Sequence, residues 1–191
     1  MQTRELTIEE IREVYNKFLY YDFPDDERKP LSRIEKSIRE GQYLCVGAFG
    51  EDDSFLAYAF FVFAEEFCLL DYYAVVPEMR GKGVGTAFLK EAVERAGFKV
   101  NIIEIEDPDA GDSEDEKKAR VKRLNFYLKA GCVNTHVHVL VFGVEYLLLE
   151  YPMNEAHGSK KITDGYFSIY RSILPVKMYE KNLALLESGI N

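Results

Sequence analysis

Three glycines at alternate positions, Gly81, Gly83 and Gly85, lie between an apolar run and a predicted helix, with Arg80 and Lys82 among them. Glycine adopts positive φ at low cost and lets the backbone approach a ligand closely. At a helix start such glycines expose backbone N–H groups, and the helix dipole adds about half a positive charge. The segment is therefore predicted to bind an anion, most naturally a pyrophosphate. A loop that only turns the chain is the simpler alternative.

Two known phosphate-binding motifs fit this segment poorly. The Walker A pattern fails because Gly83 stands where a magnesium-binding hydroxyl belongs and Val76 stands where the first glycine belongs. The dinucleotide pattern GxGxxG is met by Gly81 and Gly83 but broken at Thr86, although Glu104 lies at about the distance of a ribose-binding acid. A dinucleotide-dependent oxidoreductase is thus an alternative, weakened by the antiparallel hairpins predicted before the loop.

Composition restricts the class of protein and its partners. The 191 residues fit one domain with a sizeable core, and 47% hydrophobic residues are typical of a folded chain. A net charge of −9 argues against nucleic acid or an anionic membrane as a partner. Cys45, Cys68 and Cys132 lack metal-type spacing and are predicted to be buried thiols of a reducing compartment. Without a signal peptide or a long apolar run, we expect a cytoplasmic protein.

Two histidines raise the question of a metal site. His136 and His138 are two residues apart in a predicted strand, so their side chains should point to the same side. Because no third ligand is near, we predict no metal and two exposed strand residues. The acidic run from Glu106 to Glu116 is predicted to be a solvated loop. It could also attract a polycationic amine.

Hydrophobic periodicity and turn residues outline the elements that must position the loop. Thr7 and Glu10 match a capping box, which predicts a helix from about Ile8 to Tyr20. The other predicted elements are a helix over 31–40, strands over 42–49, 54–64 and 67–76, a helix over 86–97, a strand over 99–106, a helix over 117–131 and a strand pair over 134–152 that turns near Phe142 and Gly143. This order predicts a mixed α/β (α+β) fold with a central, mostly antiparallel sheet of about seven strands and helices on both faces.

Two segments carry apolar residues at helical spacing. The helix over 117–131 has an apolar stripe formed by Val121, Leu124, Tyr127 and Leu128. The segment from Ser159 onward repeats helical spacing through Ile162, Tyr166, Tyr170 and Ile173, and again through Tyr179, Leu183 and Leu186. Both stripes predict amphipathic helices.

The stretch "VVPEMRGKGVGTAFL" resembles the acetyl-coenzyme A loop of the GNAT N-acetyltransferase superfamily. That loop has Arg or Gln, two residues, Gly, one residue, and Gly or Ala, after a strand that often ends in valine and proline. Arg80, Gly83 and Gly85 occupy the three positions. The resemblance implies that the anion of the loop is the pyrophosphate of coenzyme A.

A second stretch, "RLNFYLKAGC", resembles the family's later helix, in which a tyrosine is followed four residues on by glycine and then usually phenylalanine. Tyr127 and Gly131 match this pattern, while Cys132 replaces the phenylalanine. The resemblance implies a GNAT (acyl-CoA N-acyltransferase) domain over residues 1–158. Residues 159–191 would be a C-terminal helical extension packed on the same domain.

The resemblance also implies the reaction and the residues that bind its donor. The family transfers an acetyl group from acetyl-coenzyme A directly to an amine, here a primary amine of an unidentified small molecule or peptide, without a metal. Backbone N–H groups of the loop would hold the pyrophosphate, the end of the preceding strand would pair with the pantetheine arm, and one N–H at Val75 or Val76 would polarise the thioester carbonyl. The implied acetyl-coenzyme A residues are Ala74, Val75, Val76, Arg80, Gly81, Lys82, Gly83, Val84, Gly85 and Thr86.

Three residues are candidates for acid–base chemistry. Tyr127 corresponds to the family's tyrosine near the coenzyme A sulfur, and a phenol is protonated at neutral pH and can donate to a thiolate. From spacing alone, Tyr127 could equally be a core residue. Glu104 stands where some members carry the glutamate that deprotonates the amine. Asp71, an acid inside an apolar run, is a second candidate base or a structural hydrogen-bond acceptor. A third alternative is that no dedicated base exists.

The expected function is that of an acetyl-coenzyme A dependent N-acetyltransferase. A catalytically inactive sensor or interaction module that binds coenzyme A is the main alternative, and the dinucleotide-dependent oxidoreductase is the third. The extension from Ser159 is amphipathic and could cap the core, line the acceptor site or form a homodimer contact.

Overall fold

The computed structural model describes residues 1–25 and 27–186. Its elements in chain order are β1 (Gln2–Glu5), α1 (Ile8–Val14), a π-helical turn (Tyr15–Leu19), α2 (Tyr20–Asp22), α3 (Leu31–Arg39), β2 (Tyr43–Phe49), β3 (Phe55–Ala64), β4 (Phe67–Val75), a 3-10 turn (Pro77–Met79), α4 (Val84–Ala96), β5 (Val100–Glu106), α5 (Glu114–Lys129), β6 (Val133–Val141), β7 (Val144–Glu150), α6 (Ser159–Ile173), α7 (Val176–Asn182) and β8 (Leu183–Leu186). The predicted mixed fold is confirmed, with eight strands in the described residues instead of about seven.

The described chain forms two compact units. The first contains Met1–Phe63 and Leu70–Gly97, and the second contains Ala64–Leu69 and the chain from Phe98 onward. In the first unit the strands follow the order β1, β2, β3, β4, and β2 pairs antiparallel with β1 and β3. In the second unit the order is β5, β7, β6, β8, and each neighbouring pair is antiparallel. The domain boundary expected at residue 158 stays a prediction.

The first helix begins as the sequence predicts. The Thr7 hydroxyl accepts the Glu10 N–H at 3.3 Å, and the Glu10 carboxylate accepts the Thr7 N–H at 2.8 Å. Glu10 also binds both terminal nitrogens of Arg4, at 2.8 and 2.6 Å, which joins β1 to α1. The predicted helix over 8–20 is interrupted by the π-helical turn at Tyr15–Leu19. Such turns within helices are rare and occur mostly as single turns.

The core of the first unit is built on β3, which is buried continuously from Leu56 to Val62. A strand covered on both faces has no need of alternating polar residues, and this explains the unbroken apolar sequence of β3. The apolar face of α1 contributes Ile11 and Val14, and the neighbouring π-helical turn contributes Leu19. The fold of this unit is thus organised around a fully buried strand.

In the second unit, the β6–β7 hairpin turns where the sequence predicts. Phe142 and Gly143 have φ values of 49° and 87°, the two positive values that a tight two-residue hairpin turn requires. The predicted apolar stripe of α5 is wrong in part, because Tyr127 is buried while Val121 and Leu128 are exposed. The reason is that α5 is polar over most of its length and buries only the side chain of Tyr127.

The C-terminal segment begins as the predicted helix. The buried face of α6 consists of Ile162, Gly165, Tyr166, Ile169 and Tyr170. A Cβ at Gly165 would lie 2.2 Å from Cδ1 of Phe67, so the helix can approach that ring only with glycine at this position.

The predicted helical continuation through Leu183 and Leu186 is wrong. These residues form β8, which pairs antiparallel with β6, with Leu183 opposite Val141 and Leu186 opposite His138. Pairing with β8 satisfies backbone groups of β6 that would otherwise lie at a sheet edge, which outweighs the local helical pattern. The part of the predicted extension beyond residue 186 lies outside the described residues.

Candidate functional site

The glycine loop lies in the first unit, between the end of β4 and the start of α4. Gly81 and Gly83 have φ values of 75° and 83°, a conformation that other residues adopt only at a cost. A Cβ at either position would meet no atom within 4 Å, so these glycines are required by the backbone and the space beside them is open. Gly83 is the N-cap of α4 and makes no side-chain capping hydrogen bond. The first turn of α4 therefore presents backbone N–H donors without a side-chain cap.

Arg80 and Lys82 lie on this loop as predicted, and Arg80 has defined partners. Its Nε donates to the carbonyl of Val75 at 2.9 Å, and its Nη2 lies 3.0 Å from Oδ1 of Asp22. The other oxygen of Asp22 accepts the Tyr58 hydroxyl at 2.9 Å. Arg80 thus fixes the loop against the end of β4, while Lys82 is exposed and adds positive charge beside the helix start.

The end of β4 carries the backbone groups predicted to contact the thioester. The Val76 N–H donates to the Leu56 carbonyl at 2.9 Å. Because backbone groups of successive strand residues point to opposite edges, those of Val75 point away from β3. Of the two predicted N–H groups, the one at Val76 is engaged on the β3 side. This leaves the Val75 N–H as the preferred candidate for the thioester contact. Ala74 is the residue before it in β4.

Asp71 lies in β4 of the same unit, and its side chain is only 3% exposed. It accepts hydrogen bonds from Nζ of Lys29 and from the hydroxyl of Tyr43. Burial and the charge of Asp71 raise the pKa of Tyr43 well above its ordinary value, so Tyr43 stays protonated and donates. The Tyr72 hydroxyl accepts the Lys29 N–H at 2.7 Å and holds the same segment. These contacts favour the structural interpretation of Asp71.

We expect the Asp71→Asn variant to lose about 2–4 kcal/mol of unfolding free energy, because Lys29 would keep its charge without a carboxylate partner. Its kcat should stay within about 2-fold of wild type, since a structural carboxylate is not used in turnover. Urea denaturation and steady-state kinetics measure the two effects. A fold of normal stability with a large loss of kcat would instead make Asp71 the base.

Tyr127 lies in the second unit, at the C-terminal end of α5. Its side chain is 7% exposed, and its ring packs against Phe126 with centroids 5.0 Å apart. Burial raises its pKa above the ordinary value for tyrosine, so it carries a proton throughout the neutral range. The geometry suits a proton donor and equally suits a core residue.

The spacing from Tyr127 to Gly131 has a local structural cause. The Gly131 N–H donates to the Leu128 carbonyl at 3.2 Å, and the Cys132 N–H donates to the Tyr127 carbonyl at 3.0 Å. With Gly131 at a φ of 103°, this is the Schellman motif that ends many helices. Burial raises the pKa of Cys132 to about 12, which agrees with the expected buried thiol.

Glu104 lies on β5 of the second unit, and its carboxylate is bound by two tyrosines of α6. The Tyr166 hydroxyl donates to Oε2, and the Tyr170 hydroxyl is 3.1 Å from both oxygens. Glu106, two residues further on, pairs instead with Arg120 and Arg123 of α5. Sequence reasoning placed Tyr166 and Tyr170 on the apolar stripe of a helix and missed their contact with Glu104. Their spacing of four was the available signal, because it places both hydroxyls on one helix face.

The prediction that His136 and His138 are both exposed is wrong in part. A register shift lies between Asn134 and Val137, and His136 has a φ of 56°. His136 is exposed, whereas Nδ1 of His138 contacts the carboxylate of Asp107. Asp107 is 4% exposed, so this part of the predicted solvated acidic run is buried.

Residues 1–25 and 27–186 contain no group of histidine, cysteine or acidic side chains arranged to hold a metal ion. Over the same residues, no helix has both the length and the hydropathy of a membrane span.

Residues 8–111 of the sequence match the model of a protein family described as the acetyltransferase (GNAT) family. The matched range contains the glycine loop, Asp71 and Glu104, and it ends before Tyr127. No curated protein matches the sequence at a significant level.

Solved structures with a similar fold include several acetyltransferases. An acetyltransferase assigned to the GNAT family from Bacteroides thetaiotaomicron is 19% identical, with a TM-score of 0.64, and the alignment covers 87% of this chain and 93% of that chain. A dodecameric spermidine N-acetyltransferase from Vibrio cholerae is 11% identical, with a TM-score of 0.58 and coverage of 78% and 91%. The ribosomal-protein-S18-alanine N-acetyltransferase from Escherichia coli is 15% identical, with a TM-score of 0.55 and coverage of 82% and 96%. At these identities the likeness concerns the fold.

Proposed function

Because this chain belongs to the acetyltransferase (GNAT) family and is therefore an acyltransferase, we propose that it transfers the acetyl group of acetyl-coenzyme A directly to a primary amine. The observation that carries the proposal is the glycine loop. Gly81 and Gly83 hold positive φ beside open space, and the helix start at Gly83 lacks a side-chain cap. Such a helix start is suited to the pyrophosphate of coenzyme A.

The residues that would hold acetyl-coenzyme A fit its chemistry. Backbone N–H groups from Gly81 to Thr86 would bind the pyrophosphate, and the exposed ammonium of Lys82 would add charge. Arg80, which is bonded to Val75 and Asp22, would keep the loop in place. The last residues of β4, from Ala74 to Val76, would contact the pantetheine arm. When bound, acetyl-coenzyme A supplies an acetyl thioester whose carbonyl carbon can accept an amine.

Three groups of this chain would act during transfer. The Val75 N–H would donate a hydrogen bond to the thioester oxygen and stabilise negative charge there. Glu104 would accept a proton from the amine, and Tyr127 would give a proton to the departing thiolate. Since burial raises the pKa of Tyr127, its phenol is in the protonated form that this role needs.

The acceptor is proposed to be a small-molecule or peptide amine. Proteins of similar fold include a spermidine N-acetyltransferase and a ribosomal-protein-S18-alanine N-acetyltransferase. The first is named for a small-molecule amine and the second for an alanine of a protein. The dodecameric state of the spermidine N-acetyltransferase supports a proposal that this chain also self-associates, as a homodimer or larger.

Three buried thiols fit a reducing compartment, and we place the protein in the cytoplasm. We also keep the proposed domain boundary between residues 158 and 159.

The test is thermal unfolding with acetyl-coenzyme A, coenzyme A, NAD and ATP in turn. A ligand at about 100 times its dissociation constant should raise the unfolding free energy by about 2.7 kcal/mol. We expect this rise in unfolding free energy with both acetyl-coenzyme A and coenzyme A. We also expect acetyl-coenzyme A to release its thiol in the presence of spermidine, an aminoglycoside or an alanine-terminated peptide. Stabilisation by coenzyme A without release for any amine would favour the non-catalytic binding module. Stabilisation by NAD alone would favour the oxidoreductase.

A further inference from the structure

The contact between Glu104 and the C-terminal helix joins two parts of the second unit that are about 60 residues apart in sequence. Tyr166 and Tyr170 are one turn apart on α6, are 0% and 6% exposed, and have ring centroids 4.9 Å apart. Both hydroxyls reach the same carboxylate, one at Oε2 and the other between the two oxygens. The result is a carboxylate with two phenol donors from a single helix face.

Packing alone does not explain two hydroxyls at this place. Glu104 is half-buried on β5, and the two side chains that its carboxylate contacts, Tyr166 and Tyr170, are themselves buried. Phenylalanine rings would fill the same space on α6, but they would leave a charged group without these donors. The role of the two tyrosine hydroxyls is therefore to donate hydrogen bonds to the Glu104 carboxylate, whereas the rings fill the space beside α6.

Tyr166 is well suited to be a permanent donor. Burial and the charge of Glu104 raise the pKa of Tyr166 well above its ordinary value, so the hydroxyl keeps its proton. Hydrogen bonds to a carboxylate favour its ionised form, which is the form a base requires. A carboxylate can accept about four hydrogen bonds, so two phenols do not by themselves exhaust its capacity.

We propose that Tyr166 and Tyr170 are positioning residues for the base Glu104, which makes α6 of the C-terminal extension part of the catalytic apparatus. This inference rests on the proposed acetyl transfer. As the new C–N bond forms and the C–S bond breaks, the amine proton passes to Glu104. The tyrosine hydroxyls neither gain nor lose a proton, and they hold the carboxylate in one orientation and in the ionised state.

The experiment removes each hydroxyl without changing the ring, in Tyr166→Phe, Tyr170→Phe and the double variant. Glu104→Gln removes the base, and Tyr179→Phe is the matched control, because its hydroxyl accepts from Arg171 at 3.1 Å and does not contact Glu104. Turnover is followed by thiol release from acetyl-coenzyme A with whichever amine of the panel reacts fastest. The titration of the Glu104 carboxyl carbon is followed separately by 13C NMR, which needs no acceptor.

We expect each single variant to lower kcat about 10-fold, a smaller effect than loss of the base itself, with the KM for acetyl-coenzyme A unchanged. The acidic limb of the kcat/KM profile and the NMR titration midpoint should both move to higher pH, because a donor to the carboxylate is lost. In the Glu104→Gln background the tyrosine changes should have no further effect on kcat. Tyr179→Phe should match wild type in all three measurements.

Phenylalanine variants with wild-type kcat, pH profile and titration midpoint would overturn the proposal, since the tyrosines would then be core residues only. The same conclusion follows if Glu104→Gln keeps full activity. An NMR midpoint that does not move refutes the positioning role even if no amine turns over. Failure of the proposed function is recognised separately, because coenzyme A compounds would then leave the thermal unfolding of the wild-type protein unchanged.

Discussion

Replacing Gly83 with aspartate is expected to weaken coenzyme A binding by about 100-fold or more, equivalent to about 2.7 kcal/mol. Gly83 is the N-cap of α4 and has open space where a side chain would stand. A carboxylate placed there would cap the helix N-terminus itself and repel a pyrophosphate at the same N–H groups. Isothermal titration calorimetry with coenzyme A measures the loss.

The matched control for this prediction is Gly83→Asn. Asparagine has nearly the same size and tolerates the left-handed conformation about as well as aspartate, so both variants carry similar backbone strain at a φ of 83°. Only the charge differs. We expect Gly83→Asn to bind within about 10-fold of wild type, and both variants to unfold at similar temperatures without ligand. If the Gly83→Asp and Gly83→Asn variants bind coenzyme A with equal affinity, the assignment of the pyrophosphate to this loop is wrong.

The second large effect is expected for Tyr127→Phe, which should lower kcat by about 100-fold, within the range of general-acid effects. The affinity for acetyl-coenzyme A should change little, because the ring remains and only the proton donor is lost. Steady-state kinetics and calorimetry separate the two quantities. Since burial raises the pKa of Tyr127, the basic limb of the wild-type kcat profile should lie above the usual tyrosine range near 10.

The control for Tyr127→Phe is again Tyr179→Phe, a hydroxyl removed elsewhere in the second unit. Tyr127 is the fourth residue before the glycine of a Schellman motif, so its position also has a purely structural explanation. If Tyr127→Phe leaves kcat unchanged and lowers the unfolding temperature, Tyr127 is a core residue and not the general acid. The thiolate would then take its proton from another donor, and the acid of the proposed reaction would have to be sought among other groups.

The sequence alone determined the features that depend on neighbouring residues. Three such features lie where the sequence predicts them: the capping box of Thr7 and Glu10, the positive φ values of Gly81 and Gly83, and the hairpin turn at Phe142. Each follows from local backbone preferences. The same local signals, taken with the loop motif, were sufficient to identify the family. Most strand and helix ends also agree within a few residues, because apolar periodicity is a local property.

Tertiary contacts decided the rest. Leu183 to Leu186 became a strand because β6 offered an unpaired edge, and Asp107, which belongs to the acidic run predicted to be solvated, is buried and contacts His138. The partners of Glu104 lie about 60 residues further along the chain, and their spacing of four indicates a shared helix face but not which side chain they contact. Local pattern fixes backbone conformation, whereas the choice of partner for a buried charge depends on which distant side chains the completed fold brings within reach.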